Sequence, residues 1–317
     1  MRAALVLRAL GLGDLLTAVP ALRGLRRALD VYEIFLACPR RLAPLALHTG
    51  AIDYAVAAEN LSDFGFGPLA ELAVNLHGRG PQSHHLLLAH HPGRLIAFEH
   101  PEVEKSRGLP RWKKNEHEVS RWCRLLQECG IPADPSDLYL ELPPVPAPSV
   151  AAGATLIHPG AAYPARRWPL ERWAEVARAE RRAGREVLIS GSTSERSESL
   201  RLAELAGLSR AQVVSGTTEI MELCGLVWAA GRVVCGDTGV AHLATAFGVP
   251  SVVLFGPTPP ALWGPPAGDP RHRALWSGRT GDPHGKSVDQ GLLEITVADV
   301  LEALEALVEP NLNRRPA

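Results

Sequence analysis

The chain has 317 residues, 46% hydrophobic and 21% charged, with 33 Lys and Arg against 34 Asp and Glu. That length can bury a core in each of two domains, and the near-neutral balance argues against the strong positive field of a nucleic-acid binder. Five cysteines (Cys38, Cys123, Cys129, Cys224, Cys235) make no CxxC pair and no even framework, so a reducing compartment is expected, with Cys224 and Cys235 as small core residues.

Residues 3–7 predict a buried first strand. The apolar start is cut by Arg8, Gly11, Gly13 and Asp14, which leaves no signal-peptide core, and no later run reaches the roughly 18 apolar residues of a membrane helix. A cytoplasmic protein with at most peripheral membrane contact is expected. A helix follows over about 14–29, where Pro20 predicts a kink or a shortened first turn. Short apolar segments at 33–37, 54–57, 72–76 and 95–98 alternate with helical or loop stretches, the pattern of an α/β domain with a parallel sheet. A helix over about 116–129, with Val119, Trp122, Leu125 and Leu126 on one face, closes the first half.

Leu142-Pro-Pro-Val-Pro-Ala-Pro-Ser149 places four prolines in eight residues and reads as a stiff linker between a domain at 1–145 and one at 150–317. The pattern then restarts. Strands are expected at 154–157, 186–190, 212–214, 232–235 and 251–255, with helices at 170–183, 194–206, up to Gly231, after Gly236, and at 296–308. Ligands of open α/β sheets bind beyond the carboxyl ends of the strands, where turn amides and helix N-termini favour anions.

Four stretches lie at such strand-to-turn transitions. In Leu10-Gly-Leu-Gly-Asp14, the carboxylate is either a reactive group or a helix cap. After His158-Pro-Gly160, Arg166 and Arg167 either neutralise a diphosphate or belong to a solvated loop beside the packed Trp168 and Trp173. In Ser190-Gly-Ser-Thr-Ser-Glu195, the glutamate either accepts from a ribose or shares a helix cap with Ser192 or Ser194. In Gly236-Asp-Thr-Gly-Val-Ala-His242, Asp237, Thr238, Gly239 and His242 face a ligand, or His242 merely packs.

Taken in order, the N-terminal Gly-Asp turn, His-Pro-Gly-Ala with Arg-Trp-Pro, and Gly-Asp-Thr-Gly-x-x-His with Phe-Gly-Pro-Thr resemble the family 9 glycosyltransferases, typified by the ADP-heptose:lipopolysaccharide heptosyltransferases. The resemblance spans nearly the whole chain. It implies a GT-B fold, two Rossmann-like domains facing each other across a donor cleft. It also implies inverting, metal-independent transfer of a heptose-like sugar from an ADP-activated donor to an acceptor hydroxyl, with no cofactor. By the same resemblance Asp14 matches the base and Arg166 the place of a phosphate-binding lysine. Glu195 falls near the adenosine ribose, Thr238 and Gly239 at the diphosphate, and Asp237 and His242 near the donor sugar or its phosphates.

The acceptor side is read from Asn75-Leu-His-Gly-Arg-Gly-Pro-Gln-Ser83, giving His77, Gln82 and Ser83 as candidate contacts, with Gln82 where relatives often carry lysine. Residues 1–150 hold 16 basic and 16 acidic residues, and Arg111-Trp-Lys-Lys114 is flanked by Glu99, Glu102, Glu104, Glu116 and Glu118, the composition of a solvated loop. The acceptor is accordingly either a lipopolysaccharide-core-like glycan or a small, even cationic, molecule. Segment 274–292 lacks the cysteines many relatives carry and reads as a surface loop. His77, His84, His85, His90 and His91 have no metal-site spacing. Two alternatives stay open: a nucleotide-sugar epimerase or hydrolase, and a non-catalytic nucleotide-sugar-binding homologue.

Overall fold

A computed structural model describes residues 2–61 and 64–308 and divides into two compact units, Met1–Leu140 and Glu141–Ala317, each built on its own five-stranded parallel sheet. The first unit runs β1 (Arg2–Leu7), α1 (Leu12–Ala28), β2 (Tyr32–Cys38), α2 (Ala43–His48), β3 (Tyr54–Ala57), β4 (Ala70–Asn75), α3 (Gln82–Leu88), β5 (Arg94–Ile96) and α4 (Glu118–Glu128). The second runs β6 (Thr155–His158), α5 (Leu170–Arg182), β7 (Val187–Ile189), α6 (Arg196–Ala206), α7 (Ile220–Ala229), β8 (Arg232–Gly236), α8 (Gly239–Ala246), β9 (Ser251–Phe255), α9 (Pro260–Trp263), β10 (His272–Trp276), α10 (Gln290–Glu294) and α11 (Val297–Glu305). This is the doubly wound α/β organisation expected from the sequence.

The central strands are apolar without alternation because both faces are covered: Ala3 to Leu7, and Val233 to Cys235, are all buried. In the first unit α1 packs closely because Gly24 has no side chain; a Cβ there would lie 2.7 Å from the Pro132 carbonyl. Helix α1 continues unbroken through the buried Pro20. In the second unit Trp168 and Trp173 meet edge to face at 5.0 Å within the core. Cys224 and Cys235 are buried core residues, and burial pushes the Cys224 thiol up to about 12.

The strand orders are β3-β2-β1-β4-β5 and β10-β9-β8-β6-β7. In each sheet the chain starts on an interior strand, winds to one edge, then returns to the other side of its first strand. The winding therefore reverses between β1 and β4 and again between β6 and β8, and at such reversals a crevice opens beyond the strands' carboxyl ends.

Two local expectations are corrected. Residues 212–214 form no strand: Arg210–Gln212 is a 3-10 turn closed by the Gln212 side chain on the Ser209 amide, and only Val213 bridges to Ile189. Segment 274–292 is more than a surface loop, since it contains most of β10 and the first three residues of α10. Among the described residues no helix is long and apolar enough to cross a membrane.

Candidate functional site

At the first reversal, β1 delivers Arg8 and then the Gly11 turn into α1, placing Asp14 in the helix's first turn. The Gly11 N–H donates to Asp14 Oδ2 at 3.1 Å. Asp14 is thus a first-turn acid that closes the turn, with Gly11 as the N-cap residue. The side chain keeps 28% of its surface exposed, and Arg8 Nη2 lies 3.5 Å from Oδ1. Burial raises the carboxyl's proton affinity above the ordinary range; the Arg8 charge opposes that and the Glu118 charge reinforces it.

Arg8, which the motif reading passed over, is buried and ties four segments together. Its guanidinium donates to the Asp14 carbonyl at 2.9 Å, the Leu76 carbonyl, Thr17 Oγ1 at 3.1 Å and Glu118 Oε1 at 3.2 Å, and it stacks 4.7 Å from the Trp122 ring centre. Glu118 is therefore not part of a solvated acidic loop: it is 4% exposed, and also accepts from Arg121 and from Trp122 Nε1 at 2.9 Å.

Beyond β4, the Asn75 side chain accepts from the His77 amide at 2.9 Å and donates to Ser83 Oγ at 2.8 Å. Burial, aided by the Arg8 charge, holds the His77 imidazole down to about 4, hence neutral near pH 7, and its Nδ1 is buried without a hydrogen-bond partner among the described residues. Gln82 is exposed at the start of α3. Ser83 is 2% exposed and its Oγ accepts from the Asn75 side chain, so it helps to fix this turn.

At the second reversal, the turn after β6 carries Arg166 across to the turn after β8. Arg166 Nη1 donates to the Asp237 carbonyl at 3.2 Å and lies 3.8 Å from Asp237 Oδ2; its Nε is buried without a partner among the described residues. Gly236 allows this approach, since a Cβ there would stand 3.2 Å from the Arg166 carbonyl. Thr238 is the N-cap residue of α8, whose first amides begin at Gly239, and an anion at that end meets both unpaired N–H groups and the positive end of the helix dipole. His242, on the same helix, packs edge to face with Trp263 at 6.0 Å. Segment 281–289 frames Arg166: the Ala165 N–H donates to the Gly285 carbonyl at 3.2 Å, Asp289 N–H to the Ala165 carbonyl at 3.2 Å, and His284 packs against Tyr163 at 4.6 Å.

Next to it, Glu195 serves as a cap, its Oε2 accepting from both the Ser192 amide and hydroxyl at 2.7 Å. Its other oxygen rests over Gly160, where any Cβ would collide with the carboxylate. Burial favours the protonated acid, but the Ser192 donors and the Arg167 charge outweigh it and hold Glu195 below the usual range. His158, 3.0 Å from Ser190 Oγ through Nδ1, is kept neutral by burial against the pull of Glu195. Among the described residues no three His, Cys, Asp or Glu side chains converge as a metal site requires.

Arg8, Glu118, Asn75 and Gly160 are the residues that sequence reasoning missed. A buried arginine directly after an apolar strand was the one available signal, because such a charge needs partners that the local sequence does not contain.

Comparison with known proteins gives a consistent result. The model of Glycosyltransferase family 9 (heptosyltransferase) matches residues 103–289, more than half of the chain, including Arg166, Glu195, Asp237, Thr238, Gly239 and His242 but not Asp14, His77, Gln82 or Ser83. The chain is 32% identical over 163 residues to lipopolysaccharide heptosyltransferase 2 of Escherichia coli K12, a match covering 47% of this chain and 45% of that protein. It thus spans less than half the length of that curated relative. The glycosyl transferase family 9 structure from Veillonella parvula superimposes with a TM-score of 0.76 at 20% identity, covering 96% of both chains. The E. coli heptosyltransferase WaaC with ADP-2-deoxy-2-fluoro heptose superimposes with a TM-score of 0.70 at 17% identity, covering 96% of this chain and 99% of that one. These neighbours carry the same GT-B fold.

Proposed function

Because the chain belongs to glycosyltransferase family 9, we propose that it moves a heptose-like sugar from an ADP-activated donor to an acceptor hydroxyl, with inversion and without a metal. The acceptor is a lipopolysaccharide-core-like glycan or a small molecule. A curated relative is named a lipopolysaccharide heptosyltransferase, and a structural neighbour holds an ADP-heptose analogue. The observation that carries the reading is Asp14: one oxygen is fixed by the Gly11 amide, and the other stands 3.5 Å from Arg8 Nη2, beyond a hydrogen bond from it, on a side chain that is 28% exposed.

In this reading the acceptor oxygen attacks the anomeric carbon from the face opposite the diphosphate, and its proton passes to Asp14. A carboxylate is too weak a base to ionise an alcohol beforehand, so the proton moves late, as the new C–O bond forms. The bond to the diphosphate breaks in the same step. Negative charge growing on that leaving group is met by Arg166 and by the α8 amides from Gly239, with Asp237 and His242 bordering the sugar and Glu195 the ribose.

The test is incubation with ADP-heptose and candidate acceptors in EDTA, with the product's anomeric configuration read by NMR. An inverted glycoside is expected. Free heptose or an epimerised nucleotide sugar as sole product identifies the hydrolase or epimerase instead, and loss of turnover in EDTA refutes metal independence. In thermal-shift measurements ADP should stabilise more than UDP, GDP or CMP, itself adding roughly 2.7 kcal/mol at 100 times its dissociation constant.

A further inference from the structure

Glu118 opens α4 as a buried carboxylate on a helix face otherwise carrying Val119, Trp122, Leu125 and Leu126. Burying a charge there is costly unless it is paired, and it is paired twice, with Arg8 and Arg121. Arg8 Nη2 has two hydrogens. Thr17 Oγ1 at 3.1 Å and Glu118 Oε1 at 3.2 Å accept from it, leaving Asp14 Oδ1 at 3.5 Å as an ion-pair neighbour without a hydrogen bond. Guanidinium and a lone carboxylate ordinarily close into a two-pronged pair, which occupies both oxygens.

We infer that Glu118 is a positioning residue for Asp14: by holding the Arg8 Nη2 group it keeps Arg8 from clamping the Asp14 carboxylate, and so leaves Oδ1 free to accept a proton. This rests on the reading of Asp14 as the base. The charged groups that act on Asp14 are Arg8, at the end of β1, and Glu118, from α4; Arg121 reaches Asp14 only through Glu118, and His77, beyond β4, feels the Arg8 charge and is neutral. Replacing Glu118 with a neutral residue removes a like charge from Asp14 and releases Arg8 toward it. Both effects favour the ionised carboxylate.

The experiment is an NMR pH titration of the Asp14 carboxyl carbon in aspartate-labelled protein, the signal being identified by its loss in Asp14→Asn. In Glu118→Gln the midpoint should fall by about one unit, the low end of the effect of a newly engaged opposite charge. Glu118→Asp keeps the buried charge but withdraws it by one methylene, so its midpoint should fall by less; if the Gln variant does not fold, this variant decides. The acid limb of kcat/KM for ADP-heptose turnover should move down with the midpoint. An unmoved or raised midpoint in the folded variants overturns the inference. Lowered midpoints in a protein whose parent form does not turn over ADP-heptose uphold the Arg8 partition and sink the transferase reading.

Discussion

Adjacent arginines at positions 166 and 167 differ in what they have left to offer a ligand, and Ala substitutions separate them. Arg167 is committed internally, its Nε on the Ala161 carbonyl at 2.8 Å and its Nη1 on Glu198 at 3.3 Å. Arg166 holds the Asp237 carbonyl at 3.2 Å and the Asp237 carboxylate at 3.8 Å and lies 5.9 Å from the Tyr163 ring centre, with Nε unpartnered among the described residues. Of the two arginines, Arg166 is the one held at the turn before α8, through Asp237, whereas Arg167 is turned to Ala161 and Glu198, so a diphosphate at the α8 N-terminus meets Arg166. A hydrogen bond to a charged group is worth about 1.5–3 kcal/mol, which corresponds to a loss of roughly 10- to 150-fold in ADP affinity for Arg166→Ala. Asp237 deepens the loss, because its carboxylate would then face the phosphates without its neighbouring cation. Arg167→Ala removes a partly exposed ion pair worth about 0–1 kcal/mol of stability, and should leave ADP affinity within about twofold, well inside one factor of ten per 1.4 kcal/mol. Calorimetric titration of both variants with ADP, with thermal unfolding as the folding control, decides. Parental ADP affinity in Arg166→Ala, or an equal loss in Arg167→Ala, refutes the assignment of the diphosphate to this turn.

Asp14→Asn should lower turnover by roughly 10²- to 10⁴-fold while ADP affinity holds, since Asn can still accept from the Gly11 amide; near-parental turnover by the folded variant would move the base elsewhere. Gly160→Ala should drive the Glu195 carboxylate off its site and weaken ADP binding, and unchanged calorimetry would show that Glu195 does not serve the nucleotide. Burial holds the His272 imidazole down to about 4 against an ordinary 6.5. Between those values the unfolded chain binds the proton and the folded chain does not, so the stability contributed by neutral His272 is complete above 6.5 and is lost as pH falls toward 4. In urea unfolding from pH 4.5 to 7.5, His272→Asn should flatten this slope; an identical slope would exclude the residue.

The central strands and amphipathic helices were legible because their signal is local: unbroken apolar runs for strands covered on both faces, and a helical stripe such as Val119, Trp122 and Leu126. The edge strand β10 was not. Its first residue, His272, is buried and the other four are at least partly exposed, so Arg273 interrupts the run and no apolar pattern remains. Residues 212–214 erred in the opposite direction, being apolar enough for a strand but diverted by the Ser209–Gln212 turn. At the sites, single motif residues could be named from the sequence, whereas their partnerships could not. Glu118 looked like one more acid in a charged loop because the arginine that buries it stands 110 residues earlier. Nor does anything in the neighbourhood of Ser83 show that it is buried with its Oγ accepting from Asn75.

The reversal of winding in each sheet also sets when these sites can come into being during synthesis. Arg166 and Asp237 are 71 residues apart, and β6 must wait for β7, α6 and α7 to be made before β8 can dock beside it. Arg8 likewise emerges far ahead of β4 and α4, the segments that neutralise and cover it. Closing such long loops is slow relative to local structure, because chain entropy is lost before the strand pairing repays it. A nascent chain halted before Gly231 would already display every residue of the β6 turn and yet have no counterpart for Arg166. Nucleotide capture by ribosome-bound chains of increasing length would accordingly report the docking of β8, appearing abruptly with that strand instead of growing with each added element.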